Sequence, residues 1–575
     1  MDNRDYARVL SEIAALMQIK GSNRFRIRAF ENAARTVETQ AQSIEDLLDS
    51  NEITDLKGIG DSIAQDLRQI RERGTCDLHE SLLDDLDPGL LVILRIQGLG
   101  PKKVKAIYDE LQIVEIETLR KAAEAQKIRE LPGFGARTEE KILSEIERLE
   151  RAGGRIPLPR ARRIAESIED QLRQLDGVQD ISIAGSLRRG RETIGDIDLV
   201  IATDDPAPIH QKFGSLTEVD DVLVTGETKT SVRLRSGVQV DLRTVKPSLF
   251  GSALHYFTGS KEHHITLRTR AKRQGLKISE YGVFSLENED EPIASRTEEE
   301  VYAALGLDYI PPELREDRDE IERAENHSLP SLVDLDDIRG DIHMHTTETD
   351  GNASIQEMAQ AAAERGYQFI AITDHSQDVR VANGMTPERF AAHIEAINQV
   401  DQQMPDFRVL SGIEVDILKD GSLDMDHDLL ARCDWVVGSI HSHFTLSPEA
   451  MTERLCTAID TGLLSCLGHP TGRILGGRDG YEYDFDVVIE KAIEHDVAFE
   501  INGSSGRLDL NADRARYAQQ KGALIVLGSD AHSQRGLDDL RFAVQQARRA
   551  ELGPESILNS LSAEELLSRV GKTRS

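Results

Sequence analysis

The sequence has few cysteines, few aromatic residues and no long hydrophobic run. Its 575 residues include four cysteines and one tryptophan, aromatic residues make up 4%, and no Cys-x-x-Cys pair occurs. Isolated cysteines indicate reduced thiols and exclude a disulfide framework. The charged N-terminal segment lacks the apolar core of a signal peptide, and no apolar run has the length of a transmembrane helix. We therefore expect a cytoplasmic protein without membrane contact.

Positive charge is also scarce, since the net charge of −33 comes from 69 basic and 102 acidic residues. This balance would argue against nucleic acid as a partner if it were evenly spread. Residues 1–280 are nearly neutral, however, and contain basic runs at 24–28 (RFRIR) and 101–105 (PKKVK). Local basic patches of this kind can bind DNA. The length exceeds what one hydrophobic core supports, so several domains are expected.

The first 150 residues contain three similar glycine turns. They are LKGIGDSIAQDL at 56–67, IQGLGPKKVKAI at 96–107 and LPGFGARTEEKI at 131–142. Each turn joins an apolar segment to an amphipathic helix, so backbone N–H groups are presented at a helix N-terminus, where a phosphate can bind. The pattern predicts a helix-hairpin-helix array that holds DNA without reading its sequence. The glycines concerned are Gly58, Gly60, Gly98, Gly100, Gly133 and Gly135.

From about 155 to 310, strand-like runs alternate with helices, which predicts an α+β unit. The run DIDLVIAT contains Asp196 and Asp198, two residues apart. Such residues point to the same face of a strand, where two carboxylates repel each other. A divalent metal is the simplest source of compensating charge. Asp241 lies on the polar face of another predicted strand and can supply a third carboxylate.

The C-terminal part alternates strand and helix regularly, and seven strand-like runs predict a parallel barrel. Catalytic groups of such barrels stand at the C-terminal strand ends. Here the runs end in His343 and His345, His375, Glu414, His441 and His443, His469, Glu500 or Asn502, and Asp530 with His532. So many imidazoles and carboxylates predict a multinuclear metal site, and a histidine-rich site admits zinc, manganese or iron.

These motifs resemble a known family. GSLRRG, GDIDL, VDLRTV and YFTGS resemble the core of family X DNA polymerases, of which DNA polymerase beta is the best-known member, and HMH, TDH, GIE, IHSH, GHP and SDAH resemble the PHP domain. The resemblance implies helical helix-hairpin-helix domains, an α+β palm and thumb, and a distorted (βα)7 barrel. The implied boundaries are 1–88 (lyase-like), 89–154 (fingers), 155–250 (palm), 251–311 (thumb), 312–337 (linker) and 338–575 (PHP).

The resemblance also implies roles for single residues in the polymerase core. Asp196, Asp198 and Asp241 would hold two Mg²⁺ ions, and Arg268 would contact the template strand. The implied nucleotide-binding residues are Arg155, Gly185, Ser186, Arg189, Tyr256, Phe257, Gly259 and His264, the last standing where the best-known member has asparagine.

For the PHP part, the resemblance implies nine metal ligands and about three metals, Mn²⁺ or Zn²⁺. The ligands are His343, His345, Asp350, His375, Glu414, His441, His469, Asp530 and His532. The implied activity is a metal-dependent 3′-5′ exonuclease or 3′-end trimming, with cleavage at abasic sites also open.

One departure concerns the lyase-like module, whose relatives in the family act through a Schiff-base lysine. Aligning Gly58 and Gly60 on the family's hairpin puts Asp66 at the position of that lysine. A carboxylate cannot form an imine with a sugar aldehyde. We therefore expect no deoxyribose-phosphate lyase activity.

The resulting prediction is a monomeric, gap-filling DNA polymerase of DNA repair, including base excision repair, that binds gapped or primer-template DNA and dNTPs. Two other classes stay open. The barrel could be a phosphoesterase for small monoesters, or a purely structural metal site, with the front half as a tether. The chain could also be a non-catalytic scaffold that binds gaps.

Overall fold

The computed structural model describes residues 3–38, 40, 44–87, 89–94, 96, 99–152, 154–287 and 290–571. The chain forms two compact units, Met1–Gly154 and Arg155–Ser575. Among the described residues, no helix combines the length and the apolarity that crossing a bilayer requires.

The first unit consists of helices around one apolar core. In the first helix Tyr6, Leu10, Ile13 and Met17 recur at helical spacing and are buried, which explains how this amphipathic segment joins the core. The helices are α1 (Asn3–Lys20), α2 (Arg24–Glu38), α3 (Ile44–Asp49), α4 (Asp61–Arg73), α5 (Asp77–Asp85), α6 (Gly89–Leu94), α7 (Pro101–Leu111), α8 (Ile116–Glu124) and α9 (Ala136–Ala152).

The second unit begins with a five-stranded sheet and its helices. The elements are β1 (Ile156–Pro157), α10 (Leu158–Arg173), β2 (Asp180–Ile183), α11 (Gly185–Arg188), β3 (Thr193–Ile194), β4 (Asp196–Ala202), α12 (Pro206–Gly214), β5 (Val219–Thr225), β6 (Lys229–Leu234) and β7 (Gln239–Val245). The strand order in the sheet is β2-β4-β7-β6-β5, and only the β4–β7 pair is parallel. Val240, Leu242 and Thr244 of β7 are buried and alternate with more accessible residues, as a sheet with one covered face requires.

A small helical layer with one β-hairpin follows. Its elements are α13 (Phe250–Thr258), α14 (Lys261–Arg273), β8 (Leu276–Ser279), β9 (Gly282–Ser285), α15 (Glu298–Ala304) and α16 (Glu320–Glu325). The charged segment 312–337 packs onto this layer, because Leu314 and Ala324 belong to its core and the fully buried Arg315 pairs with Glu298 at 2.6 Å.

The remaining residues form a barrel of seven parallel strands in chain order. Hydrogen bonds from Asp530 N to His343 O and from His345 N to Ala531 O connect the last strand with the first. The elements are β10 (Gly340–Asp341), α17 (Ile355–Glu364), β11 (Phe369–Ile372), α18 (Pro387–Gln403), β12 (Arg408–Asp416), α19 (His427–Leu430), β13 (Trp435–Ser439), α20 (Pro448–Ile459), β14 (Cys466–Leu467), α21 (Phe485–Glu494), β15 (Ala498–Asn502), α22 (Ala512–Gln520), β16 (Ile525–Gly528), α23 (Leu540–Arg549) and α24 (Ala563–Arg569).

The predicted fold class is confirmed in each part: a helical N-terminal unit, an α+β sheet domain with its helical layer, and a seven-stranded parallel barrel. The barrel and the sheet domain also share apolar contacts, since Leu508 and Phe542 of the barrel belong to the core under the five-stranded sheet. The two domains are therefore parts of one packed body.

Candidate active sites

The three predicted carboxylates lie together on the five-stranded sheet. The parallel register of β4 and β7 places Asp198 directly beside Asp241. Asp196 precedes Asp198 by two residues on the same strand face, while Ile197 and Val240 point into the core and are fully buried. Buried and accessible residues thus alternate along the strands as predicted, and the three carboxylates lie on the accessible face of the sheet.

The environment of these carboxylates disfavours three negative charges. Burial, together with the charges of Asp196 and Asp241, raises the pKa of Asp198 to about 7. Burial acts in the same direction on Asp241, but hydrogen bonds from Lys229 and Gln239 outweigh it and lower the pKa of that carboxyl. The Lys229 ammonium lies 2.6 Å from Asp241 Oδ2. Clustered carboxylate oxygens short of positive charge fit a divalent cation such as Mg²⁺. Lys229 was not predicted.

The turn that begins α11 approaches the carboxylates closely. Gly185 has a φ of +62°, and a Cβ atom on it would stand 2.1 Å from Asp198 Oδ2. Only glycine therefore fits there. The half-buried Ser186 is the next residue of this turn.

The two arginines that were predicted to bind the nucleotide, Arg189 and Arg155, differ in setting. Arg189 is largely buried; it donates to Thr258 O at 2.6 Å and pairs with Glu316 at 3.2 Å. Arg155 is exposed and donates to Thr193 Oγ1 at 2.9 Å, beside the start of β4. Arg189 thus reaches the segment that carries the predicted nucleotide-binding residues Tyr256 and Phe257, whereas Arg155 lies on the surface beside β3.

The predicted nucleotide residues of the helical layer form one aromatic group. Tyr256 stacks on His264 with ring centroids 5.5 Å apart and meets Phe257 edge to face at 5.2 Å. The Arg268 guanidinium lies over the Tyr256 ring at 5.5 Å, and Gly259 follows at the end of α13. Burial lowers the pKa of His264 to about 3, so its ring is neutral. The ring Nε2 hydrogen-bonds the backbone carbonyl of Tyr256 at 3.0 Å.

The glycine turns of the N-terminal unit present open backbone. Gly58 and Gly133 have φ angles of +90° and +84°, and no atom stands within 4 Å of a Cβ built on either residue. Gly60 and Gly100 cap α4 and α7 with the same free space, and Gly135 directly precedes α9. Gly98 lies outside the described residues. Asp66 is on α4, where burial raises the pKa of its carboxyl.

All nine predicted barrel ligands gather at the C-terminal end of the strands. Their donor atoms form three overlapping groups, each within 4.8 Å: His345, Asp350, His375 and His532; His343, His345 and Asp530; and His375, Glu414 and His441. His469 joins them, since its Nε2 lies 2.9 Å from Glu414 Oε1. His443, the other histidine at the end of its strand, is exposed and stands outside these groups.

The chemistry of this cluster fits bound metal. His343 Nε2, His345 Nδ1 and His469 Nδ1 are buried and have no hydrogen-bond partner among the described residues. A buried polar atom left unpaired costs about 1–3 kcal/mol, which coordination to a metal would offset. Burial opposes ionisation of Glu414, but the imidazoles of His441, His375 and His343 lower the pKa of that carboxyl well below its usual range.

A further layer of side chains orients these ligands. Glu500 contacts His343 Nδ1 at 2.7 Å, and Asp416 lies 3.2 Å from His441 Nδ1. Arg507 Nε stands 3.4 Å from Asp530 Oδ2. Glu500 belonged to the strand-end pattern, and Asp416 follows Glu414 by two residues, so alternation could have indicated it. No sequence signal pointed to Arg507.

Comparison with known proteins covers nearly the whole chain. The family models that match are a helix-hairpin-helix domain (residues 1–76), a SAM-like helix-hairpin-helix tandem (90–148), the DNA polymerase beta palm (155–233) and thumb (253–316), and the PHP domain (341–504).

Individual relatives agree with these models. The DNA polymerase/3′-5′ exonuclease PolX of Bacillus subtilis is 40% identical over 98% of this chain and 99% of its own length. A probable phosphatase of Photobacterium profundum is 29% identical over 40% of this chain and 94% of its own length. Another, of Vibrio atlanticus, is 32% identical over 34% and 79%, respectively. The chain belongs to the PolX family, the family X DNA polymerases that carry a PHP domain.

Proposed function

We propose that this protein is a DNA polymerase that fills gaps during DNA repair and trims 3′ ends with its PHP barrel. The observation that carries the polymerase half is the pairing of Asp198 with Asp241 across parallel strands, with Asp196 on the same face. The three carboxylates would hold two Mg²⁺ ions. When bound, these ions would lower the pKa of the primer 3′-OH and stabilise the pyrophosphate that leaves.

The chain's own residues then bind and orient the nucleotide. Gly185 and Ser186 offer backbone and hydroxyl groups to its phosphates, and Arg189 adds positive charge beside them. Tyr256 and Phe257 line the sugar from α13, with Gly259 at the end of that helix. His264, which is neutral, hydrogen-bonds the backbone carbonyl of Tyr256 and stacks on the tyrosine ring, and both contacts serve to hold Tyr256 in place.

DNA contact would be spread over the chain. The glycine turns at Gly58–Gly60 and Gly133–Gly135 offer open N–H groups to backbone phosphates, and we assign the same role to the turn at 98–100. Arg268 would reach the template from the exposed side of α14. These contacts suit gapped or primer-template DNA, since they involve backbone and shape rather than base sequence. We propose that the protein binds this DNA as a monomer.

Primer extension on a one-nucleotide gap tests the polymerase site. Asp198→Ala should lower the rate of nucleotide addition by at least about 1000-fold, because one acid of a shared metal site is removed. DNA binding, measured by fluorescence anisotropy, should stay within about twofold. Asp221→Ala, which removes an exposed aspartate of the edge strand β5, is the matched control. Extension by Asp198→Ala at the wild-type rate would contradict the assignment.

For the barrel we propose about three Mn²⁺ or Zn²⁺ ions held by the nine ligands. When bound, such metals lower the pKa of a water and stabilise the leaving oxygen of a phosphodiester. Glu414 and Asp530 offset the mutual repulsion of the ions, and Glu500 and Asp416 fix the rings of His343 and His441. The acidity of the C-terminal half repels duplex DNA, which favours an unpaired 3′ end as substrate.

Degradation of a 5′-labelled primer tests this site. His343→Ala combined with His345→Ala should remove Mn²⁺-dependent shortening from the 3′ end and leave primer extension intact. His443→Ala, which removes an exposed histidine outside the cluster, should behave as wild type. Undiminished shortening by the double variant would show that the barrel is not the nuclease.

A second candidate for the barrel is hydrolysis of small phosphate monoesters. Two probable phosphatases match 40% and 34% of this chain, respectively, over most of their own lengths. The same variants should therefore be assayed on a chromogenic monoester. A kcat/KM on the monoester above that on the DNA 3′ end would favour this alternative.

A further inference from the structure

Two loops of the barrel run from the metal cluster to the five-stranded sheet domain. The loop 470–480 begins directly after His469, and the loop 503–511 begins after Asn502, whose amide lies 3.2 Å from Asp530 Oδ2. Thr471 and Asp509 tie the two loops together, since the threonine N–H and hydroxyl each donate to Asp509 Oδ2 at 2.9 Å. The two loops are therefore hydrogen-bonded to each other, and each begins next to the metal cluster.

Arg473 of the first loop connects this structure to the sheet domain. Its two terminal nitrogens contact the two carboxylate oxygens of Glu192 at 2.6 and 3.1 Å. Its Nε donates to Arg507 O at 3.2 Å, and one terminal nitrogen also donates to Leu508 O. The Arg473 side chain is only 16% exposed, and its planar guanidinium binds the carboxylate with two parallel N–H groups. The Arg473 side chain thus contacts both the loop 503–511 and Glu192 of the sheet domain.

The residues at both ends of the Glu192–Arg473 connection are held by further contacts. Glu192 lies between Arg191 and β3, and its carbonyl accepts a hydrogen bond from Leu158 N at 2.9 Å. Leu508 is fully buried in the core under the five-stranded sheet. On the barrel side, Arg507 Nε reaches Asp530 Oδ2 at 3.4 Å. Contacts therefore run without a break from Glu192, through Arg473 and the loop 503–511, to a metal-cluster carboxylate.

We propose that Arg473 is a positioning residue through which the polymerase palm holds the barrel's metal site in its working geometry. The Glu192–Arg473 pair fixes the loop that sets Arg507 against Asp530, so metal binding and nuclease activity depend on a carboxylate of the palm. This inference rests on the proposed nuclease function of the barrel. Partners that orient metal ligands commonly contribute 10- to 100-fold to metal affinity or activity.

The same interface contains a matched control. Arg541 of α23 pairs with Glu166 of α10 through its two terminal guanidinium nitrogens at 3.0 and 3.1 Å. This ion pair also joins the barrel to the sheet domain, but among the described residues no hydrogen bond or ion pair connects it to the loop 470–480 or the loop 503–511. A general weakening of the interface would affect both pairs, whereas positioning involves only Glu192 and Arg473.

The test compares Glu192→Ala, Glu192→Gln, Arg473→Ala, the double variant Glu192→Ala/Arg473→Ala, and Glu166→Ala in the full chain. Two readouts are measured: kcat and KM for shortening a labelled 3′ end, and Mn²⁺ affinity by calorimetry in an Asp198→Ala background. We expect Glu192→Ala to lower nuclease kcat about 10-fold and to weaken Mn²⁺ binding, with Glu192→Gln intermediate and Glu166→Ala unchanged. The double variant should be no worse than Arg473→Ala alone.

Wild-type nuclease activity and Mn²⁺ affinity in Glu192→Ala would overturn the proposal, as would an equal loss in Glu166→Ala. The Glu192 variants leave the barrel sequence intact, so poor folding of Arg473→Ala does not remove the test. His343→Ala/His345→Ala separates the two failures. If that variant keeps its nuclease activity, the proposed function is wrong, and Mn²⁺ affinity alone then decides whether the palm holds the metal site.

Discussion

At the scale of single residues, the polymerase site depends on how closely its backbone approaches its acids. Gly185 leaves no space for a side chain, because its Cβ would stand 2.1 Å from Asp198 Oδ2. Asp198 is also the carboxylate with the least favourable environment for a charge, as its raised pKa shows. Small displacements here change both the position and the protonation of a proposed metal ligand.

Gly185→Ala should therefore lower nucleotide addition about 100-fold, the usual effect of displacing a reacting group by about 1 Å. Single-turnover primer extension measures it. Gly237→Ala is the control, because Gly237 also has a positive φ, +82°, but a Cβ there meets no atom within 4 Å. Equal losses in both variants would attribute the effect to backbone strain rather than to the contact with Asp198.

Asp66 carries the second prediction at this scale. The sequence resemblance aligns Asp66 with the family's lyase lysine, and Lys20, another lysine of the same unit, is paired with Asp85. Borohydride trapping on a 5′-deoxyribose-phosphate end should therefore give no covalent adduct. An adduct mapping to residues 1–90 would show that another lysine, such as Lys57 or Lys20, has taken the role.

Residues that belong to one strand or one strand end could be predicted from the sequence. The two-residue spacing of Asp196 and Asp198 predicts that they share one face of a strand. Glu414 and His469 each end an apolar run, which predicts that they lie at the C-terminal end of a barrel strand. Lys229 and Arg507 could not be predicted, because each meets its acid only after separate elements pack. In the sequence they look like ordinary surface charges.

At the scale of elements, a buried charge network joins three segments of the second unit. Glu298 at the start of α15 accepts hydrogen bonds from Arg188 of α11 at 2.6 and 2.9 Å and from Arg315 at 2.6 Å. Burial opposes ionisation, but Arg315 and Arg188 outweigh it and lower the pKa of Glu298 to about 2. The segment 312–337, which the sequence predicted as a linker, is anchored by this network.

Glu298→Gln should destabilise the fold in a pH-dependent way. A carboxyl whose pKa is lower in the folded state than its usual 4.5 stabilises the protein fully above pH 4.5 and loses that effect as the pH falls toward 2. The contribution at neutral pH is on the order of 3 kcal/mol.

Urea unfolding followed by circular dichroism checks the prediction. The difference between wild type and Glu298→Gln should be constant from pH 7 to 5 and shrink below about pH 4.5. Glu299→Gln, at the exposed neighbouring position, should show no such difference. A Glu298→Gln effect that is equally large at pH 7 and pH 3.5 would mean that packing, not charge, holds the network together.

At the scale of the whole molecule, the order of the domains could be predicted because each has its own sequence pattern: helices joined by glycine turns, then strands of alternating polarity, then βα repeats. The interface between the sheet domain and the barrel could not be predicted. Leu508, Phe542 and Arg473 look like ordinary loop and helix residues, and only packing shows that they bind the two catalytic domains into one body. The polymerase domain and the barrel are thereby packed into one compact unit.

We propose that one chain carries two separate active sites that act on the same DNA end. The most direct measurement is a time course on gapped DNA with a mispaired, labelled 3′ primer end, in the presence of dNTPs and Mn²⁺. Wild type should shorten the primer and then extend it, Asp198→Ala should only shorten it, and His343→Ala/His345→Ala should leave the mispaired nucleotide in place. Loss of both activities in either variant, or shortening by the histidine variant at the wild-type rate, would contradict the account.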